Sequence, residues 1–167
     1  DESEESMKRS IVQHFIRLAT CAPDAVMRGE AVDAIALVLR SWRSDSVEEQ
    51  SLLTALGHGL KDHCPHVCSK AMSALSSISN SSRKLSTEAA LPAARLLKDQ
   101  DRFVRARACA TLGRCVVTPE MVELLSLRCS LDTSPEVQHV ARAALRAAQM
   151  LSLASVPRFT ADTNPPV

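Results

Sequence analysis

Asp101-Arg102-Phe103-Val104-Arg105-Ala106-Arg107-Ala108-Cys109-Ala110-Thr111-Leu112-Gly113 is the stretch that decides the fold. Val104, Ala108 and Leu112 stand in steps of four, which lays them along one stripe of a helix. The same spacing recurs as Val137, Ala141, Leu145, as Val67, Ala71, Leu75, and more loosely as Met27, Ala31, Ile35. From copy to copy the register moves by 40, 37 and 33 residues. A supersecondary unit repeating every ~20–50 residues is the signature of a solenoid, in which each unit buries its apolar stripe against its neighbours.

Working outward, each signature helix follows another helical stretch. Residues 6–20 place Ile11, Phe15, Leu18 and Ala19 on one face. Ser46 and Glu49 form a Ser-x-x-Glu capping box opening a helix over 47–60. Thr87 is positioned to cap a helix over 88–98, with Pro92 near its start and able to kink it. Thr118 followed by Pro119 is a cap and first-turn signal for 120–131. Pro65 and Pro135 stand just before the signature valines of their units. The expectation is eight helices in four pairs, over 4–43, 46–80, 86–117 and 119–152, forming one repeat domain across 1–152. A serine-rich linker at 76–86 separates pairs two and three. The Pro-rich end, 153–167, reads as a flexible tail.

Composition agrees. The chain of 167 residues is 46% hydrophobic but only 2% aromatic, with no Tyr and four Gly. Its apolar load is Ala and Leu, both strong helix formers, whereas sheets draw on aromatic and β-branched residues. The fold class is therefore all-α, an α-α superhelix. The net charge of +1 is too small for a global field that would hold nucleic acid or an anionic membrane. It is uneven, with ten Lys/Arg against twelve Asp/Glu over residues 1–94 and ten against seven over 95–167. Cys21, Cys64, Cys68, Cys109, Cys115 and Cys129 sit mostly in apolar helical stretches. They read as reduced thiols of an intracellular protein, cytoplasmic or nuclear, better than as disulfides. No run of about 18 apolar residues suggests a membrane span. The absence of an initial Met reads as a piece of a longer protein.

The order Asp101, Val104, Arg105, Ala108, Leu112, Gly113 resembles the second helix of a HEAT repeat, in the form Asp-x-x-Val-Arg-x-x-Ala-x-x-x-Leu-Gly. The resemblance covers about residues 4–152 and departs at the arginine position, where the second unit has Cys68 and the fourth Gln138. The spacings are also shorter than the ~40–47 residues usual for the family. Armadillo repeats, with a third helix, fit these lengths less well. The resemblance implies that the second helices line a concave surface and that the protein is a scaffold binding a protein partner.

Lys70, Arg107, Arg114, Arg142 and Arg146 fall on or near the flanks of the core stripe. They suggest a shallow basic groove for an acidic peptide segment of a partner. The plainer alternative pairs Arg105 and Arg107 locally with Asp99 and Asp101 and leaves the others as solvated helix surface. Two rival readings are a segment docking on its own parent chain and a nucleic-acid-binding module. The second is disfavoured by the small basic excess and the scarcity of aromatics for base stacking.

Chemistry is hard to find. His63-Cys64-Pro65-His66-Val67-Cys68 has metal-ligand residue types but no second ligand pair, and reads as a helix start with buried thiols. The five His show no nucleophile and base neighbourhood, and no Gly-rich phosphate motif occurs. The expectation is no catalytic residue, no cofactor and no metal. Arg83-Lys84-Leu85-Ser86 has the form of a basophilic kinase site, with a plain linker as the simpler reading.

Overall fold

A computed structural model describes residues 2–41, 47–81 and 87–154 of the chain. Among them are eight α-helices and no strand: α1 (Glu2–Cys21), α2 (Ala25–Ser41), α3 (Val47–Gly59), α4 (Pro65–Ser81), α5 (Leu91–Leu96), α6 (Arg102–Leu112), α7 (Pro119–Leu131) and α8 (Pro135–Ala154). A 3-10 turn, Glu88–Ala90, leads into α5. The helices form an all-α solenoid in two layers. The second layer packs α2 on α4 and α6 on α8, while in the first α1 lies on α3 and α3 on α5. Three sequence readings lie outside the described residues: Ser46 as a cap, Ser86 as a phosphorylation site, and the tail from 155 onward.

The signature residues line the seam between the layers. Val67, Ala71, Leu75, Ala108, Leu112, Val137, Ala141 and Ile35 are fully buried, with Val104 at 4% exposure. The two ends of the stack differ. Met27 is 47% exposed, since α2 packs on α1, α3 and α4 and no described helix covers its outer side. Leu145, on α8, is half-buried for the matching reason at the other end. On α1 the inward residue is Val12, 1% exposed, with Phe15, Ile16 and Ala19. Ile11, expected on that face, is 43% exposed.

Local caps follow the sequence in part. The Thr118 side chain accepts from the Met121 N–H at 3.4 Å, with Pro119 in the first turn. Asp101 accepts from the Phe103 N–H at 2.8 Å. Thr87 does not cap: it already has helical φ and ψ, so its hydroxyl makes no cap bond, and the expected helix over 88–98 splits into the 3-10 turn and α5. Two glycines let neighbouring helices approach closely, Gly113 against backbone and Gly57 against a proline ring. A Cβ on Gly113 would lie 2.9 Å from the Ala144 Cα, and one on Gly57 would lie 2.7 Å from the Pro92 Cβ. α8 is thus seated directly on α6, and α5 directly on α3.

Candidate functional site

The cations that could meet a ligand stand on the second-helix layer, so what fixes that layer comes first. One position repeats in all four pairs: the residue after the signature apolar, Arg28, Cys68, Arg105 and Gln138. Each uses its side chain to donate to the carbonyl six residues earlier. Arg28 Nη1 reaches Ala22 O at 2.8 Å, Cys68 Sγ reaches Asp62 O at 3.0 Å, Arg105 Nη1 reaches Asp99 O at 2.9 Å and Gln138 Nε2 reaches Asp132 O at 2.7 Å. A carbonyl left over at the end of the preceding helix is thereby satisfied.

Three of those carbonyls belong to aspartates, and each aspartate also organises its own loop. Asp62, Asp99 and Asp132 accept through Oδ1 from the N–H two residues on, at Cys64, Asp101 and Ser134, at 2.8, 3.0 and 3.0 Å. What faces the carboxylates from the neighbouring pair differs. Arg28 grips Asp62 with two parallel bonds, Nε to Oδ2 at 2.7 Å and Nη2 to Oδ1 at 3.0 Å. Arg105 grips Asp132 in the same way, at 2.8 and 2.9 Å, with the Asp132 side chain 1% exposed. Such two-point guanidinium pairs are short and directional. At the middle joint Cys68 has no reach beyond its own loop. Asp99 is met instead by Lys61, at 2.8 Å, whose side chain is 47% exposed. Hydrogen bonding to Arg28, to Lys61 and to Arg105 holds the Asp62, Asp99 and Asp132 carboxyls below the usual range.

The expected local pairing of Arg105 with Asp99 and Asp101 side chains does not occur. Its guanidinium runs across the joint to Asp132, 27 residues along the chain, and touches Asp99 only at the backbone. Arg28 was not singled out by the sequence reading. The signal for it was present, since it follows Met27 as Arg105 follows Val104.

The five expected cations fall into two groups. Lys70 is enclosed by carboxylates, its Nζ 2.8 Å from Glu30 and 2.7 Å from Asp33 on α2, and these hydrogen bonds, to Asp33 first, raise its pKa. Arg107 donates to the Leu60 carbonyl at 3.2 Å and so belongs to the middle joint. Arg114, Arg142 and Arg146 are exposed, and their side chains make no ion pair or hydrogen bond among the described residues. Arg114 stands just past α6, its carbonyl receiving Asn80 Nδ2 at 2.8 Å. Arg142 and Arg146 are one turn apart on α8 beside exposed Ala143, Ala147 and Met150.

No group of three or more metal-ligating side chains comes together among the described residues. All six cysteines are free, and three of them are buried. Burial pushes the Cys109 thiol up to about 12 and the Cys115 thiol up to about 11, so both stay protonated at neutral pH and are poor nucleophiles. No described helix is long and apolar enough to cross a membrane.

No family model matches the chain, and no curated protein matches it. Among solved structures it is similar to a designed armadillo repeat protein in complex with the peptide (KR)4, at 22% identity and a TM-score of 0.43, covering 85% of this chain and 66% of that one. An engineered protein shares 18% identity, with a TM-score of 0.44 and 82% and 62% of the two chains covered. A computationally designed armadillo repeat protein for modular peptide recognition shares 23%, with a TM-score of 0.43 and coverage of 80% and 62%. The chain thus spans a little under two thirds of the length of these structures. By its own helices and joints, the chain is an α-helical repeat solenoid.

Proposed function

We propose that this chain is a non-catalytic interaction scaffold, a HEAT-like module that binds an acidic peptide segment of a partner protein. The carrying observation is the contrast within the second-helix layer. Lys70 and Arg107 are already engaged inside the fold, whereas Arg114, Arg142 and Arg146 keep exposed guanidinium groups with no partner among the described residues. An arginine presents a rigid fork of donors matched to carboxylates, and apolar neighbours such as Met150 add area for a peptide to cover. The two-helix repeat supports the HEAT-like reading over a three-helix armadillo unit. Six free thiols, two of them held firmly protonated by burial, support an intracellular setting.

The test is fluorescence anisotropy with a labelled Asp/Glu-rich peptide, titrated at low and at physiological salt. Reversing Arg114→Glu and Arg146→Glu together is expected to weaken binding by about tenfold, with a shallower salt dependence than the parent protein shows. Unchanged affinity in that double variant, or equal uptake of a labelled single-stranded DNA, overturns the reading.

A further inference from the structure

Among the described residues the first-helix layer has a gap. α1 packs on α3 and α3 on α5, but α5 and α7 scarcely touch. Two features open the space. α5 spans only six residues where α7 spans thirteen. The contact of Pro92 with the bare Gly57 backbone also draws α5 close onto α3, on the side away from α7.

Between α5 and α7 lies a cleft of about 580 Å³, within the ~300–1,000 Å³ typical of binding sites. One wall is the α5 stripe Leu91, Ala94 and Arg95, continued by Lys98 in the turn that follows the helix. Met121 and Leu124 on α7 form the facing wall. Leu91 is 37% exposed and Leu124 half-buried, so apolar surface is left uncovered along both sides. Arg95 and Lys98 are exposed and make no ion pair among the described residues. The acid on the opposite rim, Glu120, is hydrogen-bonded to Thr118 at the start of α7, which lowers its pKa and occupies it locally. The groove is therefore apolar along its floor and positive along one rim.

We propose that this cleft is a docking groove for an amphipathic helix of a partner protein, with an apolar row entering between α5 and α7 and a flank of carboxylates meeting Arg95 and Lys98. A helix supplies what the layer lacks there, and its side chains at three and four residue intervals match the stripe on α5. The groove lies on the first-helix layer, whereas Arg114, Arg142 and Arg146 belong to the second, so the two surfaces are separable by mutation.

The experiment uses three labelled peptides of about fourteen residues, the length at which an isolated helix begins to hold. One is an amphipathic Leu/Glu helix, one its Leu/Lys counterpart, and one a scrambled Leu/Glu sequence of the same composition. The Leu/Glu helix is expected to bind the parent protein at least about tenfold more tightly than the other two. In Arg95→Glu with Lys98→Glu that preference inverts in favour of the Leu/Lys helix, and Leu91→Gln weakens both. Arg142→Glu with Arg146→Glu lowers the two acidic peptides together and leaves the preference for the Leu/Glu helix over its scrambled counterpart intact. These side chains are exposed, so circular dichroism and sedimentation of the variants are expected to match the parent. Equal binding of the scrambled peptide, or no response to the Arg95 and Lys98 reversal, overturns the proposal. So does a loss confined to the Arg142 and Arg146 variant, or a dimer of the protein itself that Leu91→Gln dissolves.

Discussion

The outer joints of this solenoid and its middle joint are built from the same loop and closed by different side chains. Between pairs one and two, and between pairs three and four, a guanidinium reaches across to an aspartate with two short bonds. Between pairs two and three the same position is Cys68, and the links across the joint include single donors: Lys61 to Asp99, Arg107 to Leu60 O, Asn80 to Arg114 O and the Val116 N–H to Ser79 Oγ. The packing is distributed differently too: α4 meets α6 over a smaller face than α2 meets α4 or α6 meets α8, while the 3-10 turn on α4 and α5 on α3 supply the rest of the middle joint. In a repeat stack each neighbour interface contributes its own stability term. One residue per repeat therefore decides which side chain closes each joint, and the expectation is that the middle joint, without a guanidinium clasp among the described residues, yields first.

The largest expected effect tests the outer class of joint. Arg105→Ala removes both bonds to Asp132 and leaves that carboxylate buried, with Arg128 at 3.4 Å as its remaining ion pair. Removing one partner of a buried pair costs about 3–5 kcal/mol, and the long Arg128 contact and the Ser134 N–H that remain on Asp132 place the expected loss toward the lower end of that range. Urea unfolding followed by circular dichroism measures the loss. Amide exchange in α7 and α8 should accelerate before that in α1 and α2. A cost below about 1 kcal/mol would place Arg105 with ordinary surface pairs and erase the distinction between joints.

How far the sequence could reach this picture depends on the range of each interaction. The stripe Val104, Ala108, Leu112 and its copies was readable because helical periodicity is local, and it located the seam between the layers. The departures at Cys68 and Gln138 were also visible, as breaks in a repeated position. Their consequence was not, since the partner of Arg105 lies 27 residues on, in a loop that only stacking brings near. Periodicity likewise assigns Met27 to the core as readily as Val104, although burial there depends on a neighbour that no described helix provides. Among the cations, charge and position pick out five residues without ranking them. It is the packing of α4 on α2 that separates Lys70, enclosed by Glu30 and Asp33, from the exposed Arg114, Arg142 and Arg146.

Acid titration offers the intermediate effect. The folded pKa of Asp132 is depressed, first by its bond to Arg105, below the value of about 3.9 for a free aspartate. A carboxyl of this kind contributes stability that is fully present above the unfolded pKa and is lost as pH falls through the folded one. Stability of the parent protein should therefore hold at neutral pH and drop below about pH 4. Asp132→Asn should flatten that acid limb, and Asp99→Asn should flatten it less, because the Lys61 partner is nearly half exposed. Unfolding midpoints between pH 2.5 and pH 7 would show this, and equal flattening by the two variants contradicts the graded joints.

The smallest effect comes from the middle joint itself. Lys61→Met removes the ammonium group facing Asp99 while keeping most of the apolar stem. An exposed pair of this kind is worth about 0.2–1 kcal/mol and is screened by salt. The variant should thus lose less than about 1 kcal/mol in dilute buffer, and the difference from the parent should vanish near 1 M salt. Arg105→Ala should remain costly at that salt concentration, since its partner is shielded from water and ions. If the Lys61 variant instead unfolds as readily as the Arg105 one, and equally at high salt, the lysine bridge is as strong as the guanidinium clasps. Cys68 would then mark a substitution the stack has fully offset, and the middle joint would be no softer than its neighbours.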